Sequence, residues 1–243
     1  MDRLQKLQAD AAATFVLSAS GRILRENDPD HSPGPRVFFA GCSEGNLAYV
    51  RHDVPEDVAA VAAALMNAEP PWVKAGVLPA RLPGVLDLLA PAAVGGLEVS
   101  LIYVLPRQAG ADATADLVRS GTPEGEALLA TLRRSGMPAH LVDAGFLGVG
   151  DLWSPWCVAL EGGTSASIAF AARLGERGAA VGVYTFADFR GRGLAAAVTA
   201  GWSALPELNG LELFYSTLST NTSSRQVAAR LGLRQIGLGL RIA

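Results

Sequence analysis

An apolar run over residues 179–186 leads into Phe189-Arg190-Gly191-Arg192-Gly193-Leu194-Ala195. Leu194, Val198, Trp202 and Leu205 then recur at helical spacing. This order of strand, basic glycine turn and helix constrains the chain more than any other feature. Glycines let main-chain N–H groups come close to an anion. The first turn of a helix adds unpaired donors and a partial positive charge. A phosphate group suits this device. Alone, the pattern also fits an ordinary strand–turn–helix with its arginines in water, so its surroundings decide.

The surroundings continue the alternation. Residues 211–216 form a second strand-like run that includes Phe214 and Tyr215. Asn221 then stands where a helix would start, and Gly232 where it would stop, before a last strand. Ser224, Val227, Leu231 and Leu233 complete a long spaced pattern, Asn221-x2-Ser224-x2-Val227-x3-Leu231-Gly232-Leu233.

These two motifs resemble the GNAT superfamily of acyl-CoA-dependent N-acyltransferases. The likeness runs from about residue 155 to 243, a little over the last third of the chain. Tyr184-Thr185 ahead of the Arg-Gly turn is similar to the branch that includes glycine N-acyltransferases. The resemblance implies an α/β fold with a mixed sheet flanked by helices, in which two parallel strands splay. The coenzyme's pantetheine arm would insert between them. Backbone groups of Val183, Tyr184 and Thr185 would pair with its amides, as a peptide adds to a sheet edge. Amides of Gly191, Arg192, Gly193, Leu194 and Ala195 would receive the diphosphate, with Arg190 or Arg192 adding charge. Asn221 and Ser224 would lie on the far side of the arm, and Asn221 would also suit a helix cap.

The implied reaction is attack of an amine on the thioester of acetyl-CoA or another short acyl-CoA. The amine must lose a proton and the thiolate must gain one. Relatives often keep a Glu near the start of the strand before the turn; here Ala179 and Ala180 stand there. Many keep a Tyr seven residues after the Asn; here that position is Ala228. Tyr215 and Glu176 are the candidate catalytic substitutes. Tyr215 would otherwise be a core aromatic and Glu176 a solvated hairpin residue. His140, on an expected short helix, is a weaker candidate. The expected activity is therefore N-acyl transfer to a primary amine of a small molecule or amino acid. The alternative is an acyl-CoA-binding module without turnover.

Composition fits this frame. A chain of 243 residues, 50% of them hydrophobic, can bury one large or two modest cores. A net charge of −3 gives no basic field for nucleic acid. The two cysteines, Cys42 and Cys157, have no metal spacing and fit reduced thiols of a cytoplasmic protein. The apolar run over residues 85–96 is too short and too broken to span a membrane. At the N-terminus a folded helix, with Asp2 as cap, is expected in place of a signal peptide.

The first half reads as a helix over residues 2–13, strands at 15–25, 36–42 and 46–52, and a helix at 55–66. A short helix at 82–89 and a strand at 97–105 follow. Residues 107–114 read as a connector, and Thr122-Pro123-Glu124 opens a helix that ends near Gly136. The expected division is an N-terminal mixed α/β domain over 1–121 and an acyl-CoA-binding domain over 122–243. By analogy the first would be a degenerate second copy of the same fold. The polar loop over 25–35 would either line an acceptor pocket or serve as an exposed connector.

Overall fold

The computed structural model describes residues 1–90, 96–108 and 115–243. Helix α1 (Arg3–Thr14) starts at Asp2 with a reciprocal cap: Asp2 accepts from the Gln5 N–H, and the Gln5 side chain accepts from the Asp2 N–H. Strands β1 (Phe15–Leu17) and β2 (Ile23–Glu26) form a small antiparallel pair. The single strand expected over residues 15–25 is thus a hairpin. Ser18-Ala-Ser-Gly21 breaks it, with Gly21 at φ 76° and its N–H bonded to the Ser18 carbonyl at 2.9 Å.

Strands β3 (Val37–Cys42) and β4 (Gly45–Val50) follow, then α2 (Glu56–Asn67), α3 (Leu82–Leu89) and β5 (Leu97–Val104). These agree with expectation to within a few residues. Residues 109–114 of the expected connector, and 91–95 of the apolar run, lie outside the described residues. Next come β6 (Asp116–Arg119), α4 (Pro123–Ser135), α5 (Ala139–Val142), β7 (Trp156–Glu161) and β8 (Thr164–Leu174). The sequence marks no strand at β6 or β7, and β8 only as one arm of the hairpin expected at Glu176. In β7 four consecutive residues, Trp156 to Ala159, are buried. Both of its faces are covered, so the alternation that marks a half-exposed strand is lost. The chain ends with β9 (Gly178–Thr185), α6 (Leu194–Ser203), β10 (Glu212–Leu218), α7 (Thr222–Arg230) and β11 (Arg234–Ile242).

Strands β3 to β11 join one sheet in the order β4-β3-β11-β5-β10-β9-β8-β7-β6. Strands from residues 1–121 and from 122–243 share it, because β11 lies between β3 and β5. Every neighbouring pair among the described strands is antiparallel except β9 with β10. That pair stays in register only at Gly178–Glu212, Ala179–Leu213 and Ala180–Phe214. Beyond it β9 runs on to Thr185 and β10 to Leu218, so the two strands part. The expected mixed α/β sheet with splayed parallel strands is the fold observed.

One face of the sheet carries a continuous apolar cluster shared by α2, α3 and α6. There Val198, Trp202 and Leu205 are buried, each aliphatic one worth about 2 kcal/mol. Gly201 lets α6 lie close: a Cβ there would sit 2.8 Å from Cys157 Sγ. The other face holds two separate clusters, one under α1 and β1–β2, the other under α4 and α5. The loop over residues 25–35 is tied into this face. Glu26 is buried and takes ion pairs from Arg173 of β8 and Arg241 of β11, while the buried Asp28 accepts from the Ser32 N–H at 2.8 Å.

Candidate functional site

The site starts from the end of β9. Its far edge pairs with β8 through Thr185, but its β10-facing edge has no strand partner past Ala180. After a single 3-10 turn over Ala187–Phe189, Gly191 and Gly193 take φ of 78° and 81°. Only glycine adopts this left-handed conformation without strain, and here it turns the main chain into α6. Among the described residues, the N–H groups of Gly191, Arg192, Gly193, Leu194 and Ala195 find no acceptor in the protein. Five consecutive donors face outward where the α6 dipole is positive, which is an anion cradle.

A cleft of about 520 Å³ opens beside this cradle, between the parted strands and α7. Val183, Tyr184 and Thr185 form one wall. Arg190, Gly191, Gly193, Leu194 and Ala195 form one end. Asn221 and Ser224 of α7 stand opposite, and Tyr215 of β10 lies at the base. Residues expected from two motifs about 30 positions apart are thus brought together. The Thr185 carbonyl accepts from Arg190 Nε at 3.2 Å, so that arginine is held against the wall. Asn221 caps α7, its side chain accepting from the Ser224 N–H at 3.0 Å, and lines the cleft as well.

Tyr215 is 3% exposed, and its ring meets Tyr103 edge-on at 6.3 Å. Its phenol lies 2.5 Å from Ser224 Oγ and 3.1 Å from the Ser224 carbonyl. Burial raises the Tyr215 pKa above the usual phenol value; the Ser224 hydrogen bond opposes that shift, and Tyr103 adds to it. The phenol therefore stays protonated and able to donate at neutral pH.

The side chains of three expected residues lie elsewhere. Arg192 pairs with Glu161, donates to the Asp188 carbonyl at 2.8 Å, and packs 5.4 Å from the Phe189 ring. It lines a second cavity of about 420 Å³ on the outer side of α6. Glu176 is exposed in the β8–β9 turn, at the other end of β9. At about 3.3 Å per residue it is on the order of 20 Å from Thr185. His140 packs on Phe186 and lies 3.0 Å from the Ser165 carbonyl, away from the cleft. Ala179 and Ala180 stand where β9 and β10 are still paired, and Ala228 is buried. The described lining of the cleft contains no carboxylate and no imidazole; Arg190 and Arg230 are its charged side chains.

Arg230 is a lining residue that is not among those expected from sequence. The signal was present: Ser223, Gln226, Val227 and Arg230 recur at helical spacing, and all four line the cleft. No group of His, Cys, Asp and Glu able to hold a metal occurs among the described residues. No described helix is long and apolar enough to cross a membrane.

No protein-family model matches the chain, and no curated protein matches it. Solved structures do. A protein assigned to the GNAT family of acetyltransferases, from Novosphingobium aromaticivorans, is 20% identical, with 62% of this chain and 66% of that one aligned and a TM-score of 0.40. The chain thus spans just under two-thirds of that protein's length. An acetyltransferase from the GNAT family of Colwellia psychrerythraea is 15% identical over 93% of this chain and 79% of that one, at a TM-score of 0.43. A GCN5-related N-acetyltransferase from Kribbella flavida is 14% identical over 66% and 63%, at 0.42. Likenesses this distant say nothing about activity, which has to be argued from the cleft.

Proposed function

We propose that the chain is an acyl-CoA-dependent N-acyltransferase of the GNAT type. It would move an acetyl or short acyl group from the coenzyme thioester to a primary amine of a small molecule or amino acid. One observation carries this reading: the cradle of five unpaired amides opens directly onto the gap between β9 and β10. A diphosphate suits the amides, and an extended amide-bearing arm suits the unpaired edge of β9. The residues present therefore fit acyl-CoA as a co-substrate.

In the transfer, the amine nitrogen bonds to the acyl carbon, the C–S bond breaks, and the sulfur leaves as thiolate. The amine sheds one proton and the thiolate takes one. Tyr215 is the group for the second task, since it is buried, protonated and at the base of the cleft. Its contact with Ser224 Oγ offers a route for proton replacement from α7. The lining offers no carboxylate to take the amine's proton. The amine would enter neutral, and the proton that its nitrogen sheds on attack would pass to water.

That same absence favours a second reading, a coenzyme-binding module without turnover. Thiol release separates the two. Purified protein with acetyl-CoA and a broad set of amines should release free CoA well above hydrolysis. Calorimetric binding of acetyl-CoA with no amine accepted would support the second reading; no binding would sink both.

A further inference from the structure

The cleft and the second cavity meet at the N-terminus of α6. Gly193, Leu194, Ala196 and Arg230 line both. Arg230 ends α7, and its guanidinium lies directly over Gly193. A Cβ built on that glycine would be 2.7 Å from Nη1, 2.8 Å from Cζ and 2.9 Å from Nη2. The C-terminal end of α7 favours a cation in its last turn. It does not explain why this guanidinium, on an exposed residue, lies against the positive end of α6, where like charges meet.

Of the other two arginines of the region, Arg192 is neutralised by Glu161, while Arg190 has no ion pair among the described residues and is tied to the β9 wall through Nε and the Thr185 carbonyl. Among the described residues the Arg230 side chain has no ion pair within 4.0 Å and no hydrogen bond. A planar fork of donors, unpaired and beside five unpaired amides, matches an oxyanion bridging the two helices.

Building on the coenzyme reading of the cleft, we infer that Arg230 is a cation that clamps the diphosphate, a role expected of Arg190 or Arg192. The guanidinium would close over the diphosphate from α7 while the amides of Gly191 to Ala195 hold it from α6. The clamp would then couple the two helices that flank the parted strands.

The test is calorimetry on the full chain with CoA and with 3′-dephospho-CoA, for the native protein, Arg230→Gln and Arg230→Lys. Arg230→Gln should weaken both ligands alike, by about 10- to 100-fold, with an unchanged unfolding midpoint. Arg230→Lys should recover only part, since an ammonium lacks the bidentate fork. Equal affinity in all three proteins overturns the inference. So does a loss confined to CoA, because it would assign Arg230 to the 3′-phosphate. Native protein that binds neither ligand would instead sink the cleft reading, and this inference with it.

Discussion

Asp10 lies on the inner face of α1, 3% exposed among Leu7, Ala11 and Phe15, and its Oδ1 has no hydrogen-bond partner among the described residues. Burial pushes its pKa from 3.8 to about 7, against the pull of Arg241. The folded state therefore holds a proton that the unfolded chain has already lost. Its contribution is fully present below about pH 4, and falls as pH rises through about 7. A shift of that size corresponds to about 4 kcal/mol, a large part of a typical domain's stability. Asp10→Asn removes the titration and keeps the shape. Urea denaturation of both proteins between about pH 4 and pH 9 should give curves that diverge in the variant's favour by about 4 kcal/mol, then run parallel at higher pH. Comparing the two proteins cancels every ionisable group common to both. Curves parallel across the whole window would show that Asp10 is ionised without cost and would refute the reasoning.

Three further outcomes are expected. Gly193→Asp, at φ 81° and against Arg230, should cost the fold only about 1 kcal/mol, yet abolish CoA binding by putting a carboxylate in the cradle; unchanged calorimetric affinity would move the cradle elsewhere. Tyr215→Phe should lower turnover about 100-fold while leaving coenzyme affinity nearly unchanged; a near-native rate would return Tyr215 to the core. Cys42 and Cys157 are both buried, and burial pushes the Cys157 thiol up to about 12, so a thiol reagent at neutral pH should label them only after denaturation; rapid labelling of the folded protein would contradict this packing.

The parts of the site that were legible in sequence are local. Gly191 and Gly193 announce the turn because only their backbone freedom permits it, and Asn221 and Gly232 bracket α7 by cap chemistry. What depended on distant strands was not legible. No local pattern says that β11 enters between β3 and β5, since that pairing links residues more than 100 positions apart. Ser18 to Gly21 carried a turn signal that apolar neighbours on both sides obscured. Arg190 and Arg192 are equal candidates for the phosphate charge in sequence; the fold brings Glu161 of β7 to Arg192, and only the packing of α7 on α6 brings Arg230 to Gly193. Glu176 sits close to the motif strand in sequence, yet extended geometry carries it to the opposite end.

The account rests on the diphosphate site at the mouth of the strand gap, and a crystal structure with acetyl-CoA bound tests it most directly. The account predicts phosphate oxygens within hydrogen-bond distance of the amides of Gly191 to Ala195, and the thioester arm along the free edge of β9 toward Tyr215. A coenzyme bound elsewhere, or an empty gap at saturating ligand, would contradict it.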